Sequence, residues 1–399
     1  MNQNSNYGSQ GLRYKINPDG QTCEITGMGE CMDKAVIIPQ KIGGYTVTSI
    51  GKKAFRYCRR FKHMILPDSV LTIDEYAFSE CKTLESVTLG NAVTSIGKGA
   101  FGNCSSLASL TLPSSVTSIG KRAFMGVGEV RASEKNPRFI TIDGNLFSSD
   151  GRTFLHYATG KKDTSFTVPS FVTEIGEMAF YLCKNLTEII IPNSVKSIAE
   201  YAFCGCTGVS ALTVPDSVAD IGEGAFSGLG EVSVSKDHAY YVRIGCALYT
   251  KDMKTLLHCA ATIKDSLFSV PDTVTRIGNG AFHACNHLKI VTLGTQVTDV
   301  GDYAFWTCKG LEEIHLGNAV ASIGKCAFRS CQRLRNLMLP ASLSFIGADA
   351  FFFCRDLTSV RYLGAKNQWK KVHLEDIRWR NESSIRSLLC TDGTIEYLF

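Results

Sequence analysis

The sequence predicts a β-rich solenoid, in which coils of one repeating unit stack along the chain. The main observation is periodicity: an Ala-Phe dipeptide occurs eleven times in 399 residues, spaced by 23 residues except for two steps of 56. The apolar positions between the dipeptides repeat with the same period. A fixed period of this length is typical of coils that bury apolar side chains only against their neighbours. The dipeptides begin at Ala54, Ala77, Ala100, Ala123, Ala179, Ala202, Ala225, Ala281, Ala304, Ala327 and Ala350.

Each of the eleven coils is predicted to contain a strand, a turn, a second short strand and a short helical turn. In residues 84–89, Leu-Glu-Ser-Val-Thr-Leu, the apolar residues alternate at the end as a strand with one buried face requires. Pro or Gly often follows and ends the strand. Residues 93–96, Val-Thr-Ser-Ile, predict the second strand. Ala100 and Cys104 are four residues apart, which predicts one helical turn against the core.

The two steps of 56 residues are predicted to hold inserted β-hairpins, at about 130–168 and 232–270. These segments match each other at an offset of 102, for example at Asp150 and Asp252. In each, two apolar runs flank a turn, which is the pattern of a hairpin. The insertions divide the coils into blocks of four, three and four.

The two ends of the chain differ from the middle, as repeat proteins require to cover their terminal coils. We therefore predict an N-terminal cap at 1–45, a solenoid at 46–361 and a C-terminal cap at 362–399. In the last segment, Trp369 and Trp379 supply large aromatic side chains that can cover the final coil.

The sixteen cysteines resemble a disulfide framework in number, but their positions favour packing. Nine lie three residues after the repeat Phe, and Val127 and Leu229 fill this slot where Cys is absent. The slot therefore accepts a small buried hydrophobe, and parallel Cβ directions in adjacent coils oppose disulfides. We expect nine buried thiols, with Cys23 and Cys390 reacting first; metal or redox roles are the alternative. The nine are Cys58, Cys81, Cys104, Cys183, Cys206, Cys285, Cys308, Cys331 and Cys354.

Composition and charge exclude several classes of partner. A net charge of +5 with 20% charged residues is too mild to predict nucleic acid or an acidic membrane as partner. The first ten residues have neither a basic head nor an apolar run, and 18 consecutive apolar residues occur nowhere. This predicts no signal peptide in the chain and no membrane insertion. The basic run from Lys52 to Lys62 is interpreted as a solvated edge, with an anionic ligand as the alternative.

No motif in the sequence predicts an enzyme, a cofactor or a metal site. Paired carboxylates, a nucleophile elbow and Cys-x-x-Cys are all missing. His283 and His287 are four residues apart, but they flank the Cys285 slot and are interpreted as a solvated pair. His156 and His258 occupy equivalent hairpin positions, which structural repetition explains.

The repeat Leu-Pro-x-x-Val-Thr-x-Ile-Gly-x-x-Ala-Phe-x-x-Cys-x-x-Leu resembles the bacterial leucine-rich repeats of the BspA-like type. The hairpin insertions and the tail Tyr-Leu-Gly…Trp…Cys-Thr-Asp-Gly are also similar to segments of such proteins, so the resemblance covers about 14–399. It implies a leucine-rich-repeat solenoid, a right-handed superhelix, with no catalytic motif. Members are commonly cell-surface or secreted proteins implicated in adhesion and protein binding.

Two functions follow from these observations. The first is a monomeric, non-catalytic recognition or adhesion module that binds a protein or glycan at the bacterial surface. The alternative is an intracellular scaffold for protein interactions, which sixteen thiols would suit.

The predicted binding residues are outward positions of the main strands, because buried positions must repeat to keep the coils stacked. The C-terminal block combines apolar, titratable and cationic groups side by side. Ordinary sheet surface without a ligand is the alternative, since scattered exposed apolar residues are common. The candidate residues are Ile290, Glu313, His315, Asn336, Met338 and Arg361.

Overall fold

A computed structural model describes residues 8–376 and 385–396. They fall into two compact units. Unit 1 takes its described residues from Met1–Lys162 and Phe171–Leu182, and unit 2 from Asp163–Ser170 and Cys183–Phe399.

The described residues form short strands and one helix, α1 (Lys366–Trp369). The strands up to the end of the first insertion are β1 (Arg13–Ile16), β2 (Thr22–Gly27), β3 (Ala35–Ile37), β4 (Lys41–Ile42), β5 (Tyr45–Ile50), β6 (His63–Ile65), β7 (Thr72–Ile73), β8 (Ser86–Thr88), β9 (Ser95–Ile96), β10 (Ser109–Leu112), β11 (Ser118–Ile119), β12 (Glu129–Ala132), β13 (Phe139–Ile142), β14 (Asn145–Ser148) and β15 (Thr153–His156). The strands from there to the end of the second insertion are β16 (Ser165–Thr167), β17 (Glu174–Ile175), β18 (Glu188–Ile190), β19 (Ser197–Ile198), β20 (Ala211–Thr213), β21 (Asp220–Ile221), β22 (Glu231–Ser233), β23 (Tyr241–Ile244), β24 (Ala247–Thr250) and β25 (Thr255–Cys259). The remaining strands are β26 (Leu267–Ser269), β27 (Arg276–Ile277), β28 (Ile290–Thr292), β29 (Asp299–Val300), β30 (Glu313–His315), β31 (Ser322–Ile323), β32 (Asn336–Leu339), β33 (Phe345–Ile346), β34 (Ser359–Tyr362), β35 (His373–Leu374), β36 (Ser387–Cys390) and β37 (Gly393–Glu396).

Both units are built from coils, which confirms the predicted solenoid. Each coil gives one strand to a first face and a second strand to a second face, and strands of adjacent coils pair in parallel. The first-face strands are β3, β6, β8, β10 and β12 in unit 1, and β16, β18, β20, β22, β26, β28, β30, β32, β34 and β36 in unit 2. These strands define about fifteen turns, more than the eleven predicted, because the hairpin coils and the last two coils carry no Ala-Phe pair.

The third side of a coil contains tight turns, so the predicted helical turns are wrong. In the coil of Phe78, Tyr76 and Glu80 have φ angles of 57° and 64°. Left-handed residues at this spacing interrupt a right-handed helix. The N–H of Phe78 donates to the carbonyl of Ala100 in the next coil at 2.7 Å. Hydrogen bonds between coils therefore alternate with bonds inside single turns, such as the one from the N–H of Ser79 to the carbonyl of Tyr76 at 3.1 Å.

The repeat Phe side chains form a column of stacked rings inside each unit. In unit 2 the rings of Phe282, Phe305, Phe328 and Phe351 follow one another at 4.7, 5.0 and 5.3 Å between centroids. These distances match the spacing of hydrogen-bonded strands, roughly 4.8 Å. Each ring is fully buried and is packed by the coils on either side.

The repeat cysteines form a second column, and hydrogen bonding explains why the slot favours Cys over Val or Leu. The thiol of Cys81 donates to the carbonyl of Phe55 at 3.0 Å, and that of Cys308 to the carbonyl of Phe282 at 2.9 Å. A Val or Leu side chain fills the same space without a donor. All sixteen cysteines are free thiols.

The exposure of the other cysteines corrects one expectation. Cys23 and Cys390 are buried, since the first lies inside β2 and the second ends β36 with its side chain inward. Of the nine column cysteines, Cys58 is only half-buried, contrary to expectation; Cys246 is also half-buried, and every other thiol is buried.

Each insertion contains antiparallel strands on the second face. In unit 1, β13, β14 and β15 pair antiparallel, and β15 then pairs in parallel with β17. In unit 2, β23, β24 and β25 do the same before β27. The last strand of each insertion thus takes the place of a short second-face strand.

The terminal segments carry structure of their own. In unit 1, β1 pairs antiparallel with β2. In unit 2, Trp369 of α1 packs edge-on against Tyr362 at 5.2 Å between centroids, and β37 pairs antiparallel with β36. Trp379 lies outside the described residues, and the cap boundaries stay predictions. Within the described ranges, α1 is far too short to cross a membrane, and no helix there has the length and apolarity to do so.

Replacing Phe305 by Ala tests the ring column. Its ring contacts neighbours on both sides, so truncation leaves a cavity that the coils cannot close independently. We expect the free energy of unfolding in urea to fall by about 3 to 5 kcal/mol. The control Leu267→Ala, at a side chain that is 63% exposed, should change it by less than about 0.5 kcal/mol. A Phe305→Ala unfolding curve that overlays that of the parent would contradict the ring column.

Brief alkylation of the reduced native protein should modify Cys58 and Cys246 first, because burial shields the other thiols. Peptide mapping by mass spectrometry identifies the modified positions, and alkylation in denaturant should reach all sixteen. Early modification of Cys308 would show that the cysteine column is open to solvent.

Candidate functional site

The predicted binding residues lie on the sheet that runs β26-β28-β30-β32-β34-β36-β37 in unit 2. The central residues of its strands, Val291, Ile314, Leu337 and Val360, are buried in the core. Because side chains alternate along a strand, the residues before and after each central one face outward. The outward residues of β26, β28, β30, β32, β34 and β36 are called the C-terminal face below.

The structure brings all six predicted residues together on the C-terminal face. Ile290 pairs with Glu313 and Glu313 with Asn336, which makes one row across three strands. Met338 pairs with Arg361, and His315 lies on β30 beside β32. Neighbours in a row are about one strand spacing apart, roughly 5 Å. Four of the six are exposed, and Ile290 and His315 are half-buried.

The charges on the C-terminal face are only partly paired. His315 Nε2 lies 3.3 Å from Glu313 Oε1, so the two attract when the imidazole is protonated. Both side chains are close to half exposed, which keeps the pair weak. Arg361 forms no ion pair with any residue that the structure describes. Its guanidinium therefore offers its donors to solvent or to a partner.

Two apolar residues of the C-terminal face were not predicted. Leu267 pairs with Ile290 and is 63% exposed, and Leu389 pairs with Arg361 and is 48% exposed. Leu267 lies within the second step of 56 residues, where the period of 23 residues is interrupted, so its strand was not predicted. Leu389 lies in the segment predicted as the C-terminal cap. Its strand was missed because the buried residues on either side, Leu388 and Cys390, match the apolar pattern of the repeat only weakly. These residues extend the face by one strand at each end.

Another feature of unit 2 lies where the first face loses its regular pairing. The strands β18 and β20 belong to separate two-stranded sheets, and a cavity of about 510 Å³ lies along their outward residues. Its lining includes the carboxylates of Glu188 and Asp216, the amide of Asn193 and the apolar Ile190. In the described ranges, no three His, Cys, Asp or Glu side chains are grouped as metal ligands.

His156, His238 and His258 are buried, and the half-buried His283 corrects an expectation. The ring of His283 stacks on Trp306 at 4.7 Å, so His283 and His287 are not a solvated pair; only His287 is exposed. The third side of the preceding hairpin coil is short, which lets His283 reach back over Gly228. Burial lowers the pKa values of His156, His258 and His283 to about 4.

A family profile described as a BspA type leucine-rich repeat region, in six copies, matches residues 34–153, 156–244 and 259–372. The chain belongs to this family. The match confirms the resemblance noted in the repeat sequence.

Solved structures of bacterial leucine-rich repeat proteins are similar to this BspA-type chain. A leucine rich cell surface protein from Faecalibacterium prausnitzii is 24% identical with a TM-score of 0.46, and the match covers 93% of this chain and 97% of that one. The pneumococcal vaccine antigen PcpA is 19% identical with a TM-score of 0.47, covering 98% and 89%. A leucine-rich repeat protein from Eubacterium ventriosum is 22% identical with a TM-score of 0.47, covering 86% and 93%. No curated protein matches the chain.

The family and the fold make this BspA-type chain a repeat scaffold. In such scaffolds the stacked coils create extended surfaces suited to binding other proteins.

The buried His156 and His258 predict that the free energy of unfolding decreases as the pH is lowered. Their pKa is near 6.5 in the unfolded chain and about 4 in the folded one, so the unfolded state binds protons first. Stability is therefore complete above pH 6.5 and decreases towards pH 4, by about 1.4 kcal/mol per pH unit for each histidine.

Urea unfolding at pH 7, 6 and 5 measures this dependence. The variant His258→Gln should show a smaller loss between pH 7 and 5 than the parent. The control His287→Gln, at an exposed position, should keep the parental pH dependence. Equal losses in the parent and in His258→Gln would contradict the assignment.

Proposed function

We propose that this BspA-type chain is a non-catalytic recognition module that binds a protein or glycan at the bacterial surface through the C-terminal face. The observation that carries the proposal is the contrast between repeating inward residues and non-repeating outward residues on neighbouring strands. The central inward residues of β28, β30, β32 and β34, which are Val291, Ile314, Leu337 and Val360, are all aliphatic. The outward positions include Glu313, His315, Met338 and Arg361, which share neither size nor charge.

Two strands on the first face of unit 1, β8 and β10, show what an undifferentiated surface looks like in the same chain. The outward residues of β8 and β10 are Ser86, Thr88, Ser109 and Thr111. Small hydroxyl residues of this kind suit an exposed strand but offer little contact area. The C-terminal face carries larger side chains at the equivalent places, which the fold itself does not require.

The side chains of the C-terminal face have the properties of binding residues. Met338 is 49% exposed, and its flexible thioether adapts to different partner surfaces. Arg361 brings an uncompensated charge beside it, and Arg is enriched among residues that dominate binding energy. His315 and Glu313 add a pair whose attraction depends on protonation. A partner with an apolar group and a carboxylate would complement this arrangement.

The proposed location at the cell surface rests on the family, whose members are commonly surface or secreted proteins. The second candidate, an intracellular scaffold, is favoured by the sixteen free thiols. Fractionation of the native cells, with detection of the chain by antibody, separates the two. Detection on intact cells supports the surface module, and confinement to the cytoplasm supports the scaffold.

The binding face is tested with the triple variant His315→Ala, Met338→Ala, Arg361→Ala. A glycan array and a pull-down with the purified chain first supply a ligand, whose affinity is then measured by calorimetry. We expect the triple variant to lose at least about 100-fold in affinity, because exposed Arg and Met side chains at the centre of an interface each contribute about 1 to 2 kcal/mol.

The matched control is Ser86→Ala, Thr88→Ala, Thr111→Ala on the first face of unit 1, which should bind like the parent. Both variants should keep the parental circular dichroism spectrum. Full affinity in the folded C-terminal variant would place the binding surface elsewhere on the chain.

A further inference from the structure

Two cysteines outside the cysteine column approach each other in the second insertion. The Sγ atoms of Cys246 and Cys259 are 3.9 Å apart, and both residues are free thiols. Neither lies three residues after a repeat Phe. The packing slot that explains the column therefore does not explain this pair.

The two cysteines belong to different parts of unit 2. Cys246 is in the two-residue loop between β23 and β24, since Ile244 pairs with Ala247 across that loop. Cys259 ends β25, is fully buried, and its N–H donates to the carbonyl of Ala281 in the next coil at 2.7 Å. One thiol thus belongs to a hairpin loop and the other to the core of the solenoid.

The first insertion shows that the fold does not require either cysteine. Its loop between β13 and β14 places Gly144 where the second insertion has Cys246. Tyr157 takes the place of Cys259, since its N–H donates to the carbonyl of Ala179 at 2.8 Å. The same strand pairing is thus built with Gly and Tyr, and the cysteine pair is particular to the second insertion.

We propose that Cys246 and Cys259 form an intramolecular disulfide when the chain meets an oxidising environment, and so fix the β23–β24 loop to the solenoid core. The oxidant is an external disulfide, R–S–S–R. The thiolate of Cys246 attacks one of its sulfur atoms and expels RS⁻, giving a mixed disulfide on Cys246. The thiolate of Cys259 then attacks the Cys246 sulfur and expels the second RS⁻. Two protein thiols are oxidised, and one external disulfide is reduced to two RSH.

The burial of the two thiols sets the order of these steps. Cys246 is half-buried and accessible to the external disulfide, whereas Cys259 is closed to it. The contact with the Cys259 thiol and burial both raise the pKa of Cys246. Since only the thiolate attacks, exchange is slow at neutral pH and faster in alkaline buffer.

The cross-link would order a surface that the hairpin displays. Tyr240, just before β23, and Ile244, the last residue of β23, are each 51% exposed. Fixing the loop holds these side chains in one position relative to the core of unit 2. The disulfide would also close a loop between residues 246 and 259, which lowers the entropy of the unfolded chain.

The competing partner of Cys259 is Cys285, in the cysteine column of the next coil. The thiol of Cys285 lies 3.6 Å from the carbonyl oxygen of Cys259, towards which it donates. Cys285 is fully buried, so an external disulfide does not reach it in the folded protein. Exchange that begins at Cys246 therefore leads to the Cys246–Cys259 pair.

The test uses the full chain, reduced, desalted and incubated with oxidised glutathione at pH 8, then alkylated and digested with trypsin. Trypsin cleaves after Lys251 and Lys254, between the two cysteines. We expect two peptides joined through Cys246 and Cys259 and a protein lighter by two hydrogens. The melting temperature should rise by about 5 to 10 °C and return on reduction with dithiothreitol.

The variants Cys246→Ser and Cys259→Ser should each abolish the joined peptides and the rise in melting temperature. The matched control Cys58→Ser, at the other half-buried cysteine, should retain both. Three results would each overturn the proposal. They are alkylation of both Cys246 and Cys259 after oxidation, a stable mixed disulfide on Cys246, and a link from Cys259 to Cys285. Joined peptides without a change in melting temperature would show that the disulfide forms but does not fix the β23–β24 loop to the solenoid core.

Discussion

The structure depends on the stacking of each coil on the next, because a coil of 23 residues cannot bury its apolar side chains alone. Three sets of contacts repeat at the same spacing: strand pairs on two faces, hydrogen bonds between the turns of the third side, and the column of Phe rings. The rings of Phe282 and Phe305 are 4.7 Å apart, close to the spacing of paired strands. Backbone and side chains therefore favour the same geometry, which fixes the inward residues and leaves the outward ones free to vary.

The insertions show how the stack accommodates a coil of different shape. The hairpin coil keeps its strands on both faces but has a short third side, so the turns before and after it meet. In unit 2, Glu223 pairs with Arg276 and accepts a hydrogen bond from the N–H of Asn279. A Cβ on Gly280 would lie 1.9 Å from Ser227 Oγ, so this close approach excludes a side chain there. In unit 1, Arg122 and Glu177 make the corresponding contact at 2.8 Å.

The sequence predicts the strands well because their signal, alternating apolar residues, comes from the contact between coils. It misleads on the third side, where Ala100 and Cys104 have helical spacing but the backbone makes two left-handed turns four residues apart. Glycine and asparagine mark such turns in only some coils, and Tyr76 or Glu80 gives no local signal. The rows of the C-terminal face follow from strand alternation, whereas Leu267 was hidden by the insertion before it. The contact between Cys246 and Cys259 depends on the register of β24 and β25, which shifts at Leu248, and no spacing in the sequence reveals that shift.

The free thiols carry less information about the cellular compartment than their number suggests. A column cysteine such as Cys308 donates to a backbone carbonyl and is closed to solvent, so an external oxidant does not reach it in the folded protein. Most of the sixteen cysteines are thus compatible both with an oxidising compartment outside the cell and with a reducing one inside it. Cys246 and Cys259 differ, because their separation permits a bond and one of them is accessible. The oxidation state of this pair in the native protein is therefore a better indicator of compartment than the cysteine count.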